Sequence, residues 1–262
     1  MADSASLKIG QAAKHVADLS ELFRKNRPFS YCIETNTQTG QRATFAKKNE
    51  PIVNAAALIC GDVVHNLRTA LDHAYWLIVS PRVTTKRDQG LIQFPFSKTE
   101  ARLRVAIQNR IAHWAGMGLY CAINRLKPHG DKGGNELLYF IHDADLIDKH
   151  RLLIPTANYT SLSSDEIRRQ VPDFPVVNLQ NVGMGGGYRD VVWTNRSVPT
   201  DQLGIVKPPT INIFERELEV PVEIVFNVAP LGNLRPVIPT LNKMVDTARQ
   251  TIKIIREAAL SA

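Results

Sequence analysis

The chain has 262 residues, 44% of them apolar, and a formal net charge of +7. That length holds one large domain or two small ones, with ample material for a core. No apolar run reaches the ~18–20 residues of a membrane span, which excludes an integral helical membrane protein. The amino-terminal MADSASLKIG has no basic start followed by an apolar run, so no signal peptide is expected. Three cysteines, Cys32, Cys60 and Cys121, form no metal-ligand spacing. An odd, sparse set predicts free, mostly buried thiols in a reducing compartment, hence a cytoplasmic protein. The positive charge admits RNA or DNA as a partner. Its residues are spread, however, as Lys47-Lys48, Lys86-Arg87, Arg102 and Arg104, and Arg168-Arg169. No basic run is long enough for a nucleic-acid arm, and a basic, solvated surface accounts for the same charges.

In chain order, Leu7 to Asn26 reads as a first helix. Its stripe is Ile9, Ala12, Ala13, Val16, Leu19, Leu22 and Phe23, and Pro28 ends it. Tyr31 to Lys47 alternates and turns, which predicts a β-hairpin with Gly40 in the turn. Pro51 to Ser80 then reads as the central helix. Ala56, Cys60, Val63, Leu67, Ala70, Leu71, Ala74 and Ile78 recur three or four apart as a core-facing stripe. Pro51 suits its first turn, and Pro81 stops it. Its other face carries Asp62, His65, Asn66, Arg68, Thr69, Asp72 and His73, with Trp76 one turn later. A helix apolar nearly all round is buried, so this polar cluster is expected to be covered by another segment or subunit.

Val83 to Gly90 reads as a polar loop. Ser97 with Glu100 fits a capping box opening a helix with Leu103, Ile107, Ile111 and Trp114 as its stripe. A shorter helix, Leu119 to Leu126, precedes a loop from Lys127 to Gly134. Asn135 caps a helix running from Glu136 to about His150. Beyond Arg151, runs of β-branched residues split by Pro, Gly and Asn predict five or six antiparallel strands, with one helical turn over Ser163 to Gln170. Pro239 to Ala259 returns to helix. The expected class is α+β: a helical bundle with a C-terminal antiparallel β portion closed by a final long helix. In residues, that is a bundle with a hairpin insertion over 1–150, the β portion over 151–235, and a terminal helix over 236–262 packing back on the bundle. No repeats or low-complexity tracts are visible.

Three stretches offer chemistry. In the first, Arg68 and His73 fit R-x4-H. An imidazole titrates near neutral pH and serves as base or acid, while a guanidinium pairs a phosphate bidentately. On an ideal helix the two project about 140° apart, so they converge only around a bound phosphate or across a dimer. The same residues also read as an internal ion-pair network, with Arg68 on Asp72 at i,i+4 and His65 bonded to a neighbouring helix. The second stretch runs from His142 to His150. His142 and Asp145 share a helical face, with Asp148 a further turn along. With His65 or Asp72 they could hold a divalent metal. Equally, they form an acidic helix end finished by Lys149, His150 and Arg151 against the C-terminal dipole. The third, Gly183 to Tyr188, is glycine-rich but flanked by strands and followed by no GK[ST], so it reads as a hairpin turn or a mobile binding loop. No pattern suggests a covalent nucleophile, and no cofactor is implied.

The R-x4-H of Arg68 and His73 resembles the motif of the HEPN superfamily of helical bundles, whose ribonucleases and toxins cut RNA without a metal. That resemblance implies a metal-independent endoribonuclease with His73 as base or acid, Arg68 as the phosphate cation, and His65 and Asp72 as the orienting shell. It also implies a homodimer, because HEPN sites usually form across one. Thr69 stands where HEPN members often carry Asn, Asp or His after the arginine. Over most of its length the chain also resembles a family of uncharacterised bacterial and phage-associated proteins. The likeness is carried by Gly61 to Ile78 with its HNLRxxLDH, by Phe94 to Phe96, by Leu137 to Leu153 with its DKHR, and by the PVEIVFN and PVIPTLNKM segments. It implies that Arg68, Asp72, Asp148, Lys149, His150 and Arg151 belong to one constellation. The rival reading is a non-catalytic binding or structural module in which these residues lock two helices together.

Overall fold

The longest apolar periodicity in the sequence becomes the longest helix. In the computed structural model, which describes residues 3–35, 42–150, 155–159, 198–199, 222–226 and 235–260, α2 spans Glu50–Val79. Glu50 lies in its first turn, where a negative charge suits the helix dipole. Pro81 converts its end into a single 3-10 turn over Ser80–Arg82. Ala56, Cys60, Val63, Leu67, Ala70, Leu71 and Ala74 are all fully buried, so the stripe faces the core as the spacing predicts.

The other elements follow in order. Helix α1 is Ser4–Lys25, and strands β1 (Phe29–Thr35) and β2 (Arg42–Lys48) precede α2. After it come α3 (Lys86–Gln89), α4 (Glu100–Asn109), α5 (Met117–Leu126) and α6 (Glu136–His150). Then come β3 (Pro155–Tyr159), β4 (Val198–Pro199), β5 (Val222–Phe226) and β6 (Arg235–Pro236), and last α7 (Val237–Leu260). This is the expected α+β order, a mostly helical chain with small antiparallel sheets and a long final helix.

Contacts divide the chain into two units. The first comprises residues 1–21, 56–154 and 227–262 and holds the helical core. Within it α7 packs on α5 and α6, and α4 on α5. Asp3 caps α1 by accepting the Ala5 and Ser6 amides on Oδ1, and Arg256 of α7 reaches the same oxygen at 2.7 Å. Burial raises the Asp3 carboxyl, but the bonds from Arg256 and Ser6 win and bring it down to about 2. The second unit comprises residues 22–55 and 155–226. Here β1 pairs with β2 in the register Phe29 to Lys48 through Thr35 to Arg42, β2 pairs with β4, and β3 pairs with β5, all antiparallel. The expected turn at Gly40, the helical turn at 163–170, the glycine-rich stretch at 183–188 and most of the predicted later strands lie outside the described residues.

Three local expectations are corrected. Residues 83–90 are not all loop: Thr85 caps the short α3 by accepting the Asp88 amide at 3.1 Å. Ser97 and Glu100 form no capping box. Helix α4 begins after Thr99, Ser97 Oγ turns onto the Thr99 backbone, and the Glu100 amide donates to Asp131 at 2.9 Å. The stripe also breaks before Trp114. Helix α4 ends at Asn109, Ile111 is left-handed at φ 55°, and a 3-10 turn leaves Trp114 exposed. Tyr75 ties the end of α4 to α2: its hydroxyl donates to the Arg110 carbonyl at 2.6 Å. Asn135 does cap α6, accepting the Leu138 amide at 3.1 Å.

Candidate functional site

Helix periodicity places Arg68 and Asp72 one turn apart on α2, and the FPF segment lies over them. Arg68 is 9% exposed. Its Nε donates to Asp72 Oδ2 at 3.1 Å and its Nη2 to the Phe94 carbonyl at 3.5 Å. Asp72 Oδ1 accepts the Phe94 amide at 2.8 Å. The flat face of the guanidinium lies 4.6 Å from the Phe96 ring centroid, a cation–π contact strengthened by the dry surroundings.

Helix α6 supplies the opposite wall. His142 stacks on Phe96 at 4.8 Å with the rings 6° from parallel, and Tyr139 meets it edge-on at 6.1 Å. Arg68 Nη1 lies 3.3 Å from His142 Nδ1. Burial, and then the Arg68 charge, pull His142 down to about 4. The ring is therefore neutral at pH 7, and its bare Nδ1 accepts from the guanidinium. Burial pushes the Asp72 carboxyl up while Arg68 and the Phe94 amide pull it back. Burial likewise pulls Arg68 below its ordinary value against the Asp72 and Asp145 charges. An arginine starts so high that it stays charged, and so Asp72 faces a permanent cation.

Further out along the same pair of helices, His65 Nδ1 lies 3.1 Å from Asp145 Oδ1, and Lys149 Nζ lies 2.7 Å from Asp145 Oδ2. Asp145 is buried, while His65 and Lys149 are largely exposed. Asn66, also buried, accepts from Lys8 of α1 at 3.2 Å and donates to the Asp62 carbonyl at 2.8 Å.

The expected residues therefore divide. Arg68 meets both Asp72 and His142, and His65 meets Asp145. His73 joins neither group: its Nδ1 is buried without a hydrogen-bond partner among the described residues, and it does not share the Arg68 contacts. His142 and Asp145 do share a face of α6, but they meet Arg68, His65 and Lys149. Asp148 seats its carboxylate against Gly61 so closely that a Cβ there would overlap it. His150 is exposed, and Arg151 lies outside the described residues. Among the described residues no three His, Cys, Asp or Glu side chains are arranged to hold a metal ion. Trp76, expected beneath a cover, is 40% exposed.

Sequence reasoning missed the pairing of Arg68 with His142, the Phe94 backbone and the Phe96 stack. The signal was there in part: FPF is an aromatic pair with no stripe of its own, and His142 directly follows the most apolar stretch of α6. Cys60 is buried and Cys121 exposed, both as free thiols. Burial and the nearby Asp148 charge raise the Cys60 thiol far above its usual range, so it is inert. Among the described residues no helix is long and apolar enough to cross a membrane. Comparison with protein-family models, with curated proteins and with solved structures found no match.

Proposed function

We propose that the protein is a non-catalytic binding or structural module, and that the polar cluster of α2 is an ion-pair lock holding α2, α6 and the FPF segment in register. One observation carries this reading. The Arg68 guanidinium is buried, three of its nitrogens each bond a protein acceptor, and an aromatic ring covers its face. A phosphate-binding arginine needs an open, bidentate edge. Here each of its three nitrogens already bonds a protein acceptor, Asp72, His142 or Phe94, and the residue is only 9% exposed.

The HEPN resemblance supports the other reading, a metal-independent endoribonuclease acting as a dimer. That chemistry asks Arg68 to hold a phosphate beside a proton-exchanging His73. The lock reading asks neither residue to touch a substrate. Native protein, Arg68→Ala and His73→Ala are incubated with mixed RNA in EDTA, and each is unfolded in urea. The lock reading expects no cleavage by the native protein and a loss of about 3–5 kcal/mol in Arg68→Ala, the cost of leaving one buried partner uncompensated. Cleavage that vanishes in a folded His73→Ala protein would overturn it.

A further inference from the structure

Outside the lock, one face of α2 stays open along most of its length. At 100° per residue, Leu58, Asp62, His65, Thr69, His73 and Trp76 fall within about 80° of arc. They run as one straight strip about 27 Å long at 1.5 Å per residue. Asp62 and His65 are exposed, and Thr69 and His73 are half-buried. Leu58 is 59% and Trp76 40% exposed, one at each end of the strip. Arg68 is turned into the lock and takes no part. Single exposed apolar residues are ordinary on a protein surface. Here two large ones close the ends of a polar strip, and turned end for end the strip matches itself.

We propose that this strip is the interface of a homodimer, with α2 of one protomer packed antiparallel on α2 of its partner. A two-fold interface brings residue i onto j and j onto i. With the axis crossing α2 between His65 and Thr69, Leu58 meets the partner's Trp76, Asp62 meets the partner's His73, and His65 meets the partner's Thr69. The members of each pair lie equally far from the axis to within one residue, and symmetry makes each contact twice. The ends are apolar on apolar, where burial supplies the affinity. Between them an imidazole N–H donates to a carboxylate. His73 Nδ1 is sealed within its own protomer, so Nε2 is the nitrogen open to the partner. Asp145 holds His65 by Nδ1, which turns Nε2 outward, away from α6. A threonine hydroxyl donates or accepts, so it bonds that nitrogen whichever form the ring takes. The HEPN resemblance implies a dimer that gathers Arg68 and His73 around a phosphate. In this one Arg68 stays bound inside its own protomer and no phosphate is needed. The dimer gives the module a partner, a second copy of the chain, and does not draw on the energy of the lock.

The mirrored spacing gives the test. The mass of the full chain is measured by sedimentation equilibrium over a dilution series, with circular dichroism as the check on folding. The native protein is expected at twice the 29.2 kDa of one chain. Leu58→Glu and Trp76→Lys change exposed residues, so each is expected to fold and to weaken the dimer more than about a hundredfold, because symmetry removes each apolar contact twice. The double variant Leu58→Glu with Trp76→Lys places opposite charges on each other across the axis. Within one helix those positions are about 27 Å apart and cannot pair. The double variant is therefore expected to dimerise about tenfold more tightly than Trp76→Lys alone, the worth of two exposed ion pairs. A native protein that stays at 29.2 kDa at about 100 µM overturns the proposal. So does a dimer that both single variants leave intact, which would use another surface, or a double variant no tighter than the singles, which would mean another register. None of these readouts depends on how much the lock stabilises the fold, so the two proposals fail separately.

Discussion

Two clusters on one helix pair use nearly the same side chains and do opposite things. Around Arg68, a cation, a carboxylate and an imidazole lie beneath Phe94 and Phe96, with their bonding edges turned inward. Around Asp145, the carboxylate is buried while its imidazole and ammonium partners point to solvent. The first arrangement spends its hydrogen bonds on the protein, and the second keeps some back. Residue type does not separate them; burial of the cation does. A buried cation must be compensated and becomes structural, whereas an exposed one is held weakly and remains available.

The largest effect that tests this contrast is on the lock. Arg68→Ala is expected to lower the unfolding free energy by about 3–5 kcal/mol in urea denaturation. Most of that cost is the stranded Asp72 charge. The double variant Arg68→Met with Asp72→Asn should therefore recover more than half of it. The neutral amide oxygen introduced at position 72 would still accept the Phe94 amide, and the methionine would refill the space under Phe96. A double variant no better than the single would mean that the pair itself, not the orphaned charge, carries the stability.

His142 gives the next effect, and its sign is fixed by the direction of its shift. The folded ring titrates at about 4, below the ordinary 6.5, so the unfolded chain takes up the proton first. The stability contributed by the neutral ring is complete above pH 6.5 and is lost as the pH falls toward 4. The bound on that loss is about 3 kcal/mol, from ~1.4 kcal/mol per unit. In His142→Gln, whose amide oxygen also accepts from Arg68, urea midpoints measured across this range should fall less steeply than in the native protein. Parallel curves would place the acid sensitivity elsewhere.

How much of this was legible in the sequence follows the same division. The apolar stripe of α2, the cap at Asn135 and the α+β order were readable, because they depend on local spacing and burial. The i,i+4 pair of Arg68 and Asp72 was readable for the same reason. The pairing of Arg68 with His142 was not, since 74 positions separate them and only the docked helices bring them together. His73 stands apart from the Arg68 contacts, as the expected 140° projection implies. R-x4-H is a statement about spacing, and a helix turns those two side chains apart. The end of α4 was misread because Ile111 continues the apolar period while its backbone leaves the helix at φ 55°. Periodicity reports which side chains are buried, not whether the helix carries them.

Gly61 tests the packing that sets both clusters. The Asp148 carboxylate occupies the place where a Cβ on residue 61 would sit. Gly61→Ala would gain helix propensity, about 1 kcal/mol, but it forces α6 outward or rotates Asp148. Only the end of the Asp148 side chain stands in the way, so its rotation absorbs most of the clash and a net loss under about 1 kcal/mol is expected. Gly61→Ala with Asp148→Ala should be close to the stability of Asp148→Ala alone. If Gly61→Ala is instead stabilising by itself, Asp148 moves freely and the close approach of α6 to α2 is not what fixes the register.

The smallest stability effect belongs to the exposed cluster. His65→Ala removes one of the two partners of Asp145, while Lys149 stays at 2.7 Å and the Arg68 charge still acts on that carboxylate. The partner removed is largely exposed and screened by solvent. A loss under about 1 kcal/mol is therefore expected, several times smaller than for Arg68→Ala. A residue that costs so little to remove is not needed for the fold. A loss of His65 as large as that of Arg68 would erase the contrast. It would make the Asp145 cluster a second lock, with Nε2 outward only because nothing inward remained to bond it.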